Sequence, residues 1–206
     1  MTGAAAAPTI LFDADTIARR VRELGAQIAD DHADDDLLLV SVLRGGSMFL
    51  ADLIRAIPRP LSIDFMAISA FGTDGDAQGR VRIVKDLEEP IGGRSVLIVE
   101  DIVDTGLTLA YLRSVLLARE PARLEVCTLL DRAVRRIAPV EIRYAGFDCP
   151  DVFVVGYGLD LDQRYRNIPH VVAVEDLPAV QAEPTVLDAF LPGAAADEVA
   201  GHGGQT

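Results

Sequence analysis

Residues 96–108 read VLIVEDIVDTGLT. Four aliphatic residues lead into three carboxylates within five positions, and Thr105-Gly106-Leu107-Thr108 follows at once. The aliphatic run has the pattern of a buried strand. From Gly106 the period becomes helical, with Leu109, Leu112, Val115 and Leu116 on one stripe. A carboxylate at the end of a buried strand must be hydrogen-bonded, paired with a cation, or used.

The same alternation extends in both directions. Ile17, Val21, Leu24 and Ile28 fall at helical spacing after the capping residues Asp13 and Asp15. LLLVSVL (37–43) is a second continuous apolar strand, broken by Arg44-Gly45-Gly46, and 47–57 reads as a helix ended by prolines. Strands are expected at 61–70, 81–87, 123–131, 141–147, 151–157 and 170–176. FGTDGDAQGR (71–80) reads as an exposed, mobile loop, and the acidic cluster DDHADDD (30–36) as a solvated turn. Strands alternating with helices predict an α/β fold, a mostly parallel central sheet with helices on both faces. Ligands in such sheets bind beyond the carboxyl ends of the central strands. Both Arg44-Gly45-Gly46 and Glu100-Asp101 fall at such ends.

Composition narrows the function. The chain has 206 residues, half of them hydrophobic, enough for one well-packed domain. A formal charge of -13 argues against a nucleic-acid binder, which would present a basic face to phosphate. Lys85 is the only lysine, so arginine supplies every other fixed positive side-chain charge. Cys127 and Cys149 are far apart without CxxC spacing, and Cys127 reads as a buried, inert thiol. No apolar run reaches the ~20 residues that span a bilayer and no leader is legible, so a cytosolic protein is expected. Residues 177–206 lack Lys and Arg, carry prolines and end in GAAADEVAGHGGQT; they read as an acidic, largely disordered tail, with one short docking turn at 186–191.

The chemistry of the opening stretch can be read directly. Backbone N–H groups at the start of the helix favour an anion, and Gly106 permits close approach. Thr105 and Thr108 add hydroxyls. Glu100 and Asp101 suit the vicinal diol of a ribose, or a hydrated Mg²⁺, which prefers one or two carboxylates plus substrate oxygens. A ribose 5-phosphate unit satisfies both halves.

VLIVEDIVDTGLTL resembles the phosphoribosyl-diphosphate signature of type I phosphoribosyltransferases, in the form found in hypoxanthine(-guanine) phosphoribosyltransferases. The likeness runs from about residue 10 to 176 through VSVLRGGSMFLADLIR, IDFMAIS, VRIVKDL, TLLDR and FVVGYGLDLDQRYRNIPHV, which sets a domain at 10–176. The resemblance implies a type I phosphoribosyltransferase-like fold with a mobile lid loop. It implies Mg²⁺-dependent transfer from phosphoribosyl diphosphate (PRPP) to a 6-oxopurine base with loss of pyrophosphate, and a homodimer or homotetramer. Carried onto this chain, Glu100 and Asp101 hold the ribose hydroxyls directly or through metal, and Asp104 serves purine N7 as general base or acid. The backbone of Asp104, Thr105, Gly106, Leu107 and Thr108 holds the 5-phosphate. Arg44 and Gly45 belong to a pyrophosphate loop that has a cis peptide before its basic residue, and Arg166 also meets pyrophosphate. Phe153 stacks on the purine, Val154 reads its edge, Arg132 donates to its 6-oxo group, and Asp160 is a second metal carboxylate.

Three positions depart from the family pattern. Arg132 and Arg44 stand where lysine is usual, and Ala70-Phe71 replaces the lid's Ser-Tyr pair. Two further readings therefore stand beside the first: a PRPP-dependent transferase with another acceptor base, and a PRPP- or nucleotide-binding regulator with little turnover.

Overall fold

The computed structural model describes residues 6–71 and 80–194. The order is β1 (Thr9–Phe12), α1 (Ala14–Asp31), β2 (Leu37–Leu43), α2 (Ser47–Ala56), β3 (Ser62–Phe71), β4 (Arg80–Lys85), β5 (Ser95–Val103), α3 (Leu107–Leu117), β6 (Arg123–Asp131), β7 (Tyr144–Asp148), β8 (Phe153–Val155), β9 (Val171–Val174) and α4 (Leu177–Ala182). Short 3-10 turns lie at Ala133–Arg135 and Pro184–Phe190. The chain divides into two compact units, Asp15–Asp151 and a second made of the first fourteen residues with Val152 onward.

The larger unit holds a six-stranded sheet in the order β4-β3-β2-β5-β6-β7. All of its pairings are parallel except β3 with β4. Side chains alternate across a strand, and the burial follows. Leu38, Val40, Val42, Val96, Ile98 and Val126 pack on Leu109, Leu112 and Leu116 of α3. Leu39, Leu97, Val99 and Cys127 face the other way and are fully buried. There α2 lies against β2 and β5, and Arg20 of α1 donates to the Gly146 and Ala145 carbonyls at β7, at 2.9 and 2.7 Å. Burial drives the Cys127 thiol well above its ordinary range, as an inert thiol requires.

The acidic cluster is the largely exposed turn expected of it, but several of its charges are paired and its histidine is not exposed. His32 is wholly buried, its Nδ1 2.7 Å from Asp35 and its Nε2 3.2 Å from Glu125. Tyr144 donates to Asp31 at 2.9 Å, and Arg143 and Arg94 pair with Asp31 and Asp36. The hydrogen bond from Tyr144 leads the depression of the Asp31 pKa, and that from Ser95 leads the depression for Asp35. The run of aspartates therefore ties the end of α1 to the amino-terminal ends of β5, β6 and β7.

The smaller unit corrects two expectations. The strands at 151–157 and 170–176 do not extend the parallel sheet: β8 and β9 form a separate antiparallel sheet with β1, in the order β1-β9-β8. β1 itself precedes the first element expected from sequence and is too short to show a period. The second concerns the tail, where the docking turn expected at 186–191 is found but a helix precedes it. Residues 177–190 fold as α4 and a 3-10 turn, and Val180, Leu187 and Phe190 pack against Val155, Val172 and Val174. Asp176 caps α4 by accepting from Ala179 N–H at 3.1 Å. Residues 195–206, the rest of the expected tail, and 72–79, the centre of the expected lid, lie outside the described residues. His170, unremarkable in sequence, accepts the Ala14 N–H at 3.0 Å through Nδ1 and so caps the start of α1.

Leu187 is fully buried in this cluster. Leu187→Ala should cost roughly 2–5 kcal/mol in urea unfolding; a loss within the ~0.5 kcal/mol typical of surface substitutions would show that the carboxy-terminal segment does not pack as described.

Candidate active site

β5 runs between β2 and β6, covered on both faces, and continues to Val103 rather than ending at Asp101. Glu100 and Asp101 thus sit within its final residues. Glu100 is buried, and desolvation followed by the neighbouring Asp101 charge raises its pKa well above the usual carboxylate range. It has no ion-pair partner among the described residues. Asp101 accepts the Ile102 N–H at 2.8 Å. Its other oxygen faces Gly45, where a Cβ would lie 1.6 Å away. No side chain fits at Gly45, so the β2–α2 loop closes directly on the Asp101 carboxylate. The Leu43–Arg44 peptide in that loop is cis, as the family resemblance implies, and Arg44 is exposed.

The β5–α3 junction encloses a cavity of about 230 Å³ lined by Glu100 to Gly106, Thr108 and Leu109. Gly106 has φ +79°, and a Cβ there would meet the Ala138 carbonyl at 2.7 Å; both the left-handed backbone and the contact demand glycine. The loop is pinned by Ile137 and Ala138 N–H groups donating to the Thr105 carbonyl at 2.8 and 3.0 Å. The first amides of α3 have no intrahelical acceptor by geometry, and they border this cavity.

Asp104 lies on the cavity wall. Its Oδ2 is 3.3 Å from Arg132 and 3.8 Å from Arg135, while Oδ1 is buried and has no hydrogen-bond partner among the described residues. Arg132 is itself buried and reaches the Cys149 sulfur at 3.6 Å. Arg136 donates to the Asp104 and Val103 carbonyls and pairs with Asp131. Arg135 and Arg136 were not singled out from sequence. The signal was the density of arginine in LLDRAVRR, directly after a strand end.

The other candidates belong to the smaller unit. Phe153 is half-buried and Val154 buried on β8. Asp160 and Arg166 form an ion pair at 2.7 Å within a loop of two tight reversals. Gly156 and Leu159 exchange both backbone bonds, as do Leu161 and Arg164. The central residues of both turns, Tyr157-Gly158 and Asp162-Gln163, have positive φ, as type I′ turns require.

The profile described as the phosphoribosyl transferase domain matches residues 9–162. A hypoxanthine-guanine phosphoribosyltransferase of Mycobacterium avium is 49% identical over 169 residues, 79% of this chain and 83% of that protein. The chain belongs to the hypoxanthine(-guanine) phosphoribosyltransferase family. The hypoxanthine phosphoribosyltransferase of Haemophilus influenzae is 47% identical over 79% of this chain and 92% of its own. A crystal structure of the Staphylococcus aureus hypoxanthine phosphoribosyltransferase superposes with a TM-score of 0.79 at 42% identity, covering 84% of this chain and 92% of that one. Among the described residues no helix is long and apolar enough to cross a membrane.

The raised proton affinity of Glu100 gives a stability test. Ionising it costs more in the folded than in the unfolded chain, so the folded state loses stability as pH rises above the unfolded value of ~4.3. Glu100→Gln should therefore raise Tm at pH 7, and the gain should shrink toward pH 4. An equal shift at both pH values would show that burial of the charge is not the cause.

Proposed function

We propose that this protein is a purine-salvage enzyme that transfers the 5-phosphoribosyl group of PRPP to hypoxanthine or guanine, giving IMP or GMP and pyrophosphate. The observation that carries this reading is the β5–α3 junction, where one cavity joins paired carboxylates, a glycine-dependent turn and a helix start. The 5-phosphate is an anion, and the amides of residues 105–108 with the Thr105 and Thr108 hydroxyls suit it. The ribose diol suits Glu100 and Asp101.

Magnesium fits the same donors. The carboxylates are hard oxygen ligands, and Glu100 is buried with no ion-pair partner among the described residues, the condition a divalent ion relieves. No group of three or more metal-ligating side chains occurs among the described residues, so substrate oxygens and water would complete the shell, the mode Mg²⁺ favours. Glu100 and Asp101 would hold one ion and Asp160 a second; bound there, the ion supplies charge neutralisation for the departing pyrophosphate. By the family resemblance Arg44, in the loop that Gly45 lets close on Asp101, and Arg166 donate to pyrophosphate.

Bond breaking at the anomeric carbon leaves positive charge on the ribose, which nearby carboxylates stabilise. Asp104, whose Oδ2 is held on the cavity wall by Arg132 and Arg135, is the group the resemblance assigns to proton exchange with purine N7. Arg132 donates to the 6-oxo group, with a planar fork where the family has an ammonium. Phe153 covers the purine face and Val154 meets its edge through the backbone. We place the enzyme in the cytosol as a homodimer or homotetramer.

Incubating the protein with PRPP, Mg²⁺ and each of hypoxanthine, guanine, xanthine, adenine and uracil tests the acceptor. IMP or GMP formed faster than any other product is expected; a different preferred base, or PRPP binding without product, contradicts the reading. Asp104→Asn should lower kcat by about 10²–10⁴-fold, the range of general acid–base contributions, with little change in PRPP affinity by calorimetry. Equal losses in both would assign Asp104 to substrate binding instead.

A further inference from the structure

Asp160 and Arg166 are expected to take ligands of opposite charge, yet they hold each other. Arg166 NH2 is 2.7 Å from Asp160 Oδ1, and its NH1 donates to the Gly158 carbonyl at 2.7 Å. The other carboxylate oxygen is occupied too: Oδ2 accepts the Gln163 backbone N–H at 2.9 Å and lies 3.4 Å from the Gln163 side-chain nitrogen. The Gln163 side-chain oxygen accepts from Arg166 NH2 at 3.1 Å. The amide orientation follows from chemistry, because a guanidinium has only donors and an ionised carboxylate only acceptors.

Gln163 therefore touches both members of the pair with one neutral group. Its backbone is held for the purpose: with φ +66° it occupies the second central position of the Leu161–Arg164 turn, which points its own N–H at Asp160. The partners are partly screened, with Arg166 and Asp160 side chains 21% and 27% exposed.

We propose that Gln163 is a positioning residue which closes Asp160 and Arg166 into a latch, and that this latch couples metal and pyrophosphate binding. This rests on the roles given above to Asp160 and Arg166. A cation that claims Asp160 releases Arg166 for an anion, and an anion that claims Arg166 releases Asp160. Each ligand thus lowers the cost of the other, and the pair stays self-neutralised when neither is present. Coupling of this kind is reciprocal by thermodynamic necessity.

The test uses Mn²⁺ alone and pyrophosphate alone in chelator, each by calorimetry, on the full chain. Gln163→Leu removes the bridge without changing any charge. It should tighten both Mn²⁺ and metal-free pyrophosphate by roughly two- to fivefold, as expected for loss of part-exposed polar pairs. A changed electrostatic field cannot favour a cation and an anion together. The Mn²⁺ gain should vanish in an Asp160→Asn background, and the pyrophosphate gain in Arg166→Gln. Unchanged or weaker binding of both ligands in a folded Gln163→Leu protein overturns the latch. Should Asp160→Asn alone leave Mn²⁺ affinity unaltered, Asp160 is no metal ligand, and the underlying role fails rather than the coupling.

Discussion

The structure depends on burying one strand completely and ending it in charge. β5 sits between β2 and β6, and its residues from Ser95 to Glu100 are all buried. Such a strand is held on both edges by backbone hydrogen bonds and on both faces by packed side chains. Whatever it carries at its carboxyl end is fixed in position with little freedom to reorganise. Here that cargo is Glu100, whose desolvation disfavours its charged form. A buried carboxylate with no cation beside it is a stability cost, and catalysis uses such preorganised sites because the cost is met before substrate arrives.

The neighbouring loops complete the arrangement by close approach rather than by added side chains. Gly45 abuts the Asp101 carboxylate, and Gly106 abuts the Ala138 carbonyl. The segment after β6 holds the β5–α3 loop twice over, through the Ile137 and Ala138 amides and through Arg136. Arg132 and Arg135 then set the orientation of Asp104. In a chain with a single lysine, guanidinium groups stand at the two positions where the family usually has lysine. The consequence is local: a forked donor can hold Asp104 and still reach Cys149.

Much of this was legible in the sequence because two periods carry it. Continuous apolar runs gave β2, β5 and β6, the switch to helical spacing gave α1 and α3, and the carboxylates and Thr-Gly-Leu-Thr marked the cavity that the structure places there. What was not legible depends on partners distant in the chain. β1 has four residues, too few for a period, and exists because β9 pairs with it. The fold of 177–190 comes from three apolar residues meeting β8 and β9; the docking turn was legible in VLDAFL, whereas composition suggested disorder for the helix before it. The pairing of the acidic run at 30–36 was not legible because its arginine partners lie 58 to 112 residues away. The primed turns at Tyr157-Gly158 and Asp162-Gln163 lack the Asn-Gly or Asp-Gly signal that usually announces them, so the Asp160–Gln163–Arg166 cluster had no local signature.

The most direct measurement is a crystal structure of the protein with PRPP and Mg²⁺. The account requires the 5-phosphate to lie against the amides of residues 105–108 and the ribose hydroxyls to engage Glu100 and Asp101, directly or through the metal. Sugar phosphate bound elsewhere, with that junction untouched and Glu100 still without a cation, would contradict it.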